Sequence, residues 1–245
     1  MSAEAILQKA RAVMGSVMHP LETAGSTWTE LPPEACQPEI DIEETLDIAP
    51  FGPRDGSEIW MSYTKKRPQP LVLSVDTSLS MTGDKMALTA VSLAVVFLQF
   101  PDDPIGIVAF ENEARVIKRP SERLGTLELI ERFLDVPAQG YTHLEEGLTT
   151  TLALCSKSFK TGRSKPVPVI LLTDGKYTAG RDPSYLAKRF KKLIVMKMGD
   201  ERAGEELCHE LASGGRGTMK LVAGYEELPL AMYGVVKSLL RAVCN

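Results

Sequence analysis

Leu71-Val72-Leu73-Ser74-Val75-Asp76-Thr77-Ser78-Leu79-Ser80 decides the fold. An aliphatic run, broken by one serine, ends at a carboxylate followed by alternate hydroxyls. Such a short run, with no apolar–polar alternation, reads as a strand covered on both faces, the kind found in parallel sheets. Asp76, Ser78 and Ser80 therefore stand where the strand empties into a loop. All three donors are hard oxygens, which suit a small divalent cation. No Cys or His stands beside them, which argues against zinc or copper.

Outward from this stretch the chain alternates strand and helix. Gly83 to Phe100 is apolar around nearly its whole circumference, which predicts a buried helix. Ile105 to Phe110 reads as the next strand. The turn Glu111-Asn112-Glu113 is short enough for a hairpin into Ala114 to Lys118, an antiparallel edge strand. Helices are predicted over 124–134 and 144–159. Val167 to Thr173 is a second fully apolar strand, ending at Asp174-Gly175. A helix at 183–190, strands at 193–198 and 218–222, a helix at 205–212 and a closing helix at 228–243 complete the pattern.

This order predicts an α/β fold. The expected form is a doubly wound, mostly parallel six-stranded sheet, with one antiparallel edge strand and helices on both faces. Ligands of such sheets bind at the carboxyl ends of the strands, where the winding reverses. If the strands ending at Val75 and Thr173 are neighbours there, Asp76 and Asp174 emerge side by side. The loop Gly140-Tyr141-Thr142 would reach the same point. Five oxygen-bearing side chains, Asp76, Ser78, Ser80, Thr142 and Asp174, then surround one candidate metal position.

Residues 1–69 read as an extension and 70–245 as the main domain. Ser2 to Met18 has helical apolar spacing and is expected to dock on that domain. Residues 20–56 hold six prolines and the acidic stretch Glu39 to Asp47, and are expected to wrap the domain in extended form. Ser57 to Thr64 alternates as a strand does.

The chain has 245 residues, is 44% hydrophobic and carries a formal net charge of −4, which supplies a core but no reason to expect nucleic acid. Its basic runs, Lys65-Lys66-Arg67 and Lys188 to Lys192, read as solvated ends of elements. Cys36, Cys155, Cys208 and Cys244 have no paired spacing and read as free thiols in a reducing compartment. No apolar run approaches the roughly 20 residues that cross a bilayer, and the N-terminus lacks a signal-peptide pattern. A soluble, cytoplasmic protein is the expectation.

The three separated motifs, Asp76 to Ser80, Gly140-Tyr141-Thr142 and Leu172-Thr173-Asp174-Gly175, resemble the von Willebrand factor A domain and its metal-ion-dependent adhesion site (MIDAS). The resemblance covers residues 70 to 243. It implies that Asp76, Ser78, Ser80, Thr142 and Asp174 hold Mg²⁺, with Mn²⁺ the alternative, some directly and some through water. Two positions depart from the common pattern: Leu79 stands where many members have Gly, and His143 where Asp or Asn is common. Neither removes a ligand. Neutral hydroxyls leave the ion's charge largely uncancelled, so an Asp or Glu of a partner can complete its shell.

Pro38 to Asp47, and Leu211 to Gly217 followed by Glu227-Leu228-Pro229, are similar to the bacterial subgroup that works beside MoxR-type AAA+ ATPases, CoxE-like proteins among them. The layout also resembles the A domain of the magnesium chelatase D-type subunit. What this implies is a non-enzymatic adaptor. It would bind an acidic client through the metal and couple it to an AAA+ ATPase for remodelling or cofactor insertion. A subunit of a metal-chelatase-like complex and a metal-dependent phosphoester hydrolase are the alternatives. An aspartyl-nucleophile phosphatase would want a carboxylate where Ser78 stands. Neither a G-x-x-x-x-G-K-[ST] loop nor a G-x-S-x-G elbow is present. Cys208-His209 and Gly214-Gly215-Arg216-Gly217 read as packing and a helix end rather than a zinc or phosphate site.

Overall fold

A computed structural model describes residues 2–14, 21–79, 83–137, 140–159 and 167–241. They fall into two compact units. The larger joins the N-terminal helix to the chain from Gln69 to Ser238. The smaller is built from the described part of 17–68.

The larger unit is organised by a six-stranded sheet. In chain order its strands are β4 (Leu71–Asp76), β5 (Ile105–Phe110), β6 (Ala114–Lys118), β7 (Val169–Thr173), β8 (Leu193–Met198) and β9 (Met219–Val222). Their spatial order is β6-β5-β4-β7-β8-β9. Every pairing is parallel except β5 with β6. The expected six-stranded, mostly parallel sheet with an antiparallel edge is thus the one observed. Every residue of β4, β5, β7 and β8 is buried, which is why these strands read as unbroken apolar runs.

Helices cover both faces. α1 (Ala3–Val13), α3 (Asp84–Gln99) and α4 (Thr126–Leu134) pack on one another on one side. α3 is buried from Met86 through Phe97, as its all-round apolar sequence requires. Opposite lie α5 (Leu144–Ser158), α6 (Ser184–Ala187) and α7 (Glu205–Gly214). Leu144 and Leu148 of α5 and Leu211 of α7 share a core with Val72, Val108, Leu171 and Val195. α8 (Leu228–Arg241) closes the unit and buries Leu228, Met232 and Val236. The stretch expected as a helix over 183–190 is helical only across the four residues of α6. The edge strand β6 turns Lys118 inward. Its Nζ donates to Ile105 O and Arg119 O at 3.0 and 3.2 Å, over the Phe97 ring, and burial lowers its pKa. An inward charge on an edge strand discourages pairing with another chain.

The smaller unit corrects the expectation of an extended wrap over 20–56. β1 (Leu21–Thr27) and β2 (Cys36–Ile40) flank β3 (Trp60–Lys66) in an antiparallel sheet. The acidic stretch is a helix, α2 (Ile42–Ile48), capped where Asp41 Oδ1 accepts from Glu44 N at 3.2 Å. Pro32, Pro33, Pro50 and Pro53 lie between these elements, and Pro38 lies within β2. α1 groups with the large sheet, docked on α3 and α4 as its apolar spacing implied.

Candidate metal centre

The sheet order supplies the switch point. From β4 the chain crosses to β5 on one side, and β7 lies on the other. Val75 pairs with Leu172, so Asp76 and Thr173 end adjacent parallel strands. Asp76 is 1% exposed, and its carboxylate is held from two sides. Oδ1 accepts from Ser78 N at 3.0 Å, and the Ser78 hydroxyl also bonds the carboxyl. Oδ2 accepts from Thr173 Oγ1 at 2.9 Å.

The end of β5 anchors the other loops. Thr77 donates its N–H to Phe110 O at 2.9 Å and its hydroxyl to the same carbonyl at 3.1 Å. One residue later, Glu111 O accepts from His143 N at 2.7 Å. The Asp76 loop and the Thr142 loop thus hang from consecutive carbonyls. Thr142 is buried, and its N–H donates to Thr178 Oγ1 at 2.9 Å while its carbonyl accepts from Thr178 N at 3.1 Å. Gly140 has φ +105, and a Cβ there would lie 2.4 Å from Asn112 Nδ2. The turn therefore requires glycine both for its backbone and for the close approach of Asn112. Tyr141 N donates to Asn112 Oδ1 at 2.9 Å.

Asp174 is half-buried, and its Oδ1 accepts from Lys176 N at 2.9 Å. Gly175 has φ +78, and a Cβ on it would meet Gly204 O at 2.4 Å and Cys208 Sγ at 2.7 Å. The Asp174 loop is thereby wedged against the start of α7. Lys176 pairs with Glu201, and Lys197, itself buried, donates to the carbonyls of Gly199 and Glu201. Of the five expected site residues, Asp76 and Ser78 touch, and Asp174 is near enough to bear electrostatically on Asp76. Thr142 precedes His143, whose N–H is held on the carbonyl next to the one that holds Thr77. Ser80 lies outside the described residues.

Four contributors escaped sequence reasoning: Thr77, Thr173, Thr178 and Lys197. A hydroxyl ending an otherwise aliphatic strand is the signal that Thr173 offered. The other three carry none before the register is known. His143 is half-buried, with Nδ1 3.1 Å from Glu146 Oε2 at the start of α5. Cys208 faces the core and His209 faces solvent, so they do not form a joint site. Burial pushes the Cys208 thiol up to about 12. Gly214–Gly217 forms the end of α7, where Gly217 N donates to Ala212 O at 2.9 Å.

Residues 71–176 match the family model for the von Willebrand factor type A domain. The match covers less than half of the chain. A comparison with curated proteins finds no match. Among solved structures, a von Willebrand factor type A protein from Catenulispora acidiphila aligns with 93% of this chain and 51% of its own, at 15% identity and TM-score 0.58. Proximal thread matrix protein 1 from the mussel byssus, with a zinc-occupied MIDAS motif, aligns over 70% of this chain at 18% identity and TM-score 0.59. BatB from Bacteroides thetaiotaomicron aligns over 71% of this chain and 99% of its own, at 17% identity and TM-score 0.55. The chain spans about half the length of the mussel protein, 48%. These likenesses are likenesses of fold.

The electrostatics of the matched segment centre on Asp76. Burial pushes its carboxyl up to about 6; the bonds from Ser78 and Thr173 oppose this, and the nearby Asp174 charge adds to it. Among the described residues, no ion pair neutralises either Asp76 or Asp174. Among them, no group of three or more His, Cys, Asp or Glu side chains is placed to hold a metal ion. A donor set of two carboxylates supplemented by hydroxyls is what a hard divalent cation accepts and a soft one does not. The residues present fit such an ion. No helix of the described residues is long and apolar enough to cross a membrane.

Proposed function

We propose that the protein is a non-enzymatic, cytoplasmic adaptor with an intact MIDAS, in which Asp76, Ser78, Ser80, Thr142 and Asp174 hold Mg²⁺ or, as an alternative, Mn²⁺. Through it the protein recognises an Asp or Glu of a client protein and couples that client to a MoxR-type AAA+ ATPase. Bound there, the cation would supply positive charge left open to an incoming carboxylate. The chain's own part is to hold the donors. Ser78 and Thr173 fix the two oxygens of Asp76, Phe110 and Glu111 carbonyls seat the two loops, and the Thr173-Asp174-Gly175 turn presents the second acid.

The observation that carries this reading is the buried Asp76 carboxylate, bonded across the switch point to Thr173 and lacking a cationic partner among the described residues. The groups bonded to it, Ser78 and Thr173, are neutral hydroxyls, so a divalent ion that Asp174 reaches only through water would keep net charge for a partner. The ATPase coupling rests on the resemblance of 38–47 and 211–229 alone. Calorimetry with Mg²⁺ and Mn²⁺ tests the site: saturable binding that disappears in Asp76→Ala is expected, and heat unchanged by that substitution overturns it. Affinity capture from the native host with and without chelator tests the partners. A chelator-sensitive AAA+ ATPase is expected, and its absence removes the adaptor role.

A further inference from the structure

Charge is unevenly placed along the chain. Residues 12–53 hold eight Asp and Glu and neither Lys nor Arg, whereas the whole chain has 32 acids and 28 Lys and Arg, so the remainder is net positive. The acids are densest around α2, and apolar side chains stand open among them. Ile42 is 67% and Leu46 49% exposed, while Thr45 and Ala49 carry the buried side. Residues four apart share a helix face, so Ile42 and Leu46 form one open strip and Glu43 and Asp47 the strip beside it. The Thr45 hydroxyl bonds Trp60 N, which fixes the face turned outward. Among the described residues, no ion pair neutralises the acids of 39–47. Seating α2 on β3 uses only its buried side, so it leaves Ile42 and Leu46 unexplained; an apolar strip framed by unpaired acids marks a contact surface.

A matching surface stands on the same chain. Lys188, Arg189 and Lys191 are exposed around the buried Phe190, in the turn where α6 ends. Arg189 N donates to Leu186 O and Phe190 N to Ala187 O, both at 3.0 Å, which fixes that turn. The Tyr185 side chain is 56% exposed, its hydroxyl donates to Glu145 Oε1 at 2.6 Å, and it lies near enough to Arg189 to feel its charge. Glu206 and Glu210 share a cavity with Lys188, so the positive face is carried by Arg189 and Lys191.

We infer that α2 of one copy docks on the Tyr185–Lys191 turn of a second copy, with Ile42 and Leu46 against the Tyr185 ring and Glu43 and Asp47 facing Arg189 and Lys191. The inference goes beyond the metal reading and stands whether or not an ion binds. Burial of the apolar strip would supply most of the affinity, because exposed ion pairs contribute little each. The charges would set register and exclude other pairings. The two surfaces differ, so the contact can repeat head to tail or close reciprocally on two copies.

Sedimentation of the full chain in chelator, from micromolar to submillimolar concentration, reads the contact. Self-association that rises with concentration and weakens in high salt is expected. Glu43→Lys with Asp47→Lys should weaken it about tenfold, and so should Arg189→Glu with Lys191→Glu, each with an unfolding midpoint close to that of the unaltered chain. The variant carrying all four reversals should associate again, a rescue that damage to the fold cannot produce. Leu46→Ser should weaken association at low and high salt alike. A chain that stays monomeric throughout, association indifferent to either pair of reversals, or a fourfold variant that fails to rescue overturns the inference. So does association that requires Mg²⁺, which would assign the contact to the metal site. Loss of cation binding in calorimetry, by contrast, strikes the metal reading and leaves this contact intact.

Discussion

The Thr173 hydroxyl donates to Asp76 Oδ2 at 2.9 Å from the end of the neighbouring strand, and accepts from Gly175 N at 3.1 Å. One hydroxyl therefore joins the two acids of the site, bonding the first directly and shaping the turn that carries the second. Thr173→Val keeps the shape and removes the link. It should cost about 1–3 kcal/mol in stability, because a buried carboxylate oxygen loses its donor. It should also weaken Mg²⁺ binding and raise the pH at which binding is half-lost, since this bond holds the Asp76 pKa down. Thr173→Ser should restore both. Denaturation and metal titrations at several pH values measure the two effects.

Asp76 ties stability to pH. Its carboxyl titrates near 4 in an unfolded chain and at about 6 in the fold, raised chiefly by burial. The fold therefore holds the proton more tightly. The associated stabilisation is complete below about pH 4 and is lost as pH rises through about 6, to the extent of about 3 kcal/mol. Asp76→Asn should raise the unfolding midpoint of the metal-free protein at pH 8 and flatten its pH dependence between 4 and 7. For the unaltered protein, cation affinity should fall below about pH 6, where proton and metal compete for one carboxylate. Denaturant titrations in chelator, and calorimetry across the same range, check both.

Gly147 lets α5 lie against the end of β5. A Cβ there would stand 2.4 Å from Phe110 Cγ, inside the ring's contact distance. Gly147→Ala should destabilise by about 1–3 kcal/mol through overpacking. Because Phe110 O also holds Thr77, the loss should reach the site and lower cation affinity. An equal loss of stability with affinity intact would uncouple the two.

In the smaller unit, Trp60 N donates to Thr45 Oγ1 at 2.9 Å, pinning α2 on β3. Thr45→Val removes the acceptor and should cost about 1–2 kcal/mol. Trp60 emission, read against the exposed Trp28, should report a lower denaturation midpoint.

The large sheet was legible because its strands are covered on both faces, so burial writes itself as runs such as Leu71–Val75 and Val169–Leu172. Asp76 and Asp174 stood out because they sit where those runs stop. In the smaller unit only β3 was legible, from the alternation of Ser57 to Thr64. β1 alternates exposed and half-buried residues, Leu-Glu-Thr-Ala-Gly-Ser-Thr, with little apolar signal, and β2 is exposed along its length and contains Pro38. The prolines that argued for an irregular path occupy edges and turns, where no ladder bond is needed. Thr173 offered one local signal, a hydroxyl ending an aliphatic strand, but its bond to Asp76 depends on which strand lies alongside.

The grouping of α1 with the large sheet bears on how the protein is made. Ala3–Val13 is synthesised well before the surfaces it packs against, Asp84–Gln99 and Thr126–Leu134. A lone eleven-residue helix is marginal in water. Its apolar stripe therefore stays uncovered until α3 and α4 have emerged.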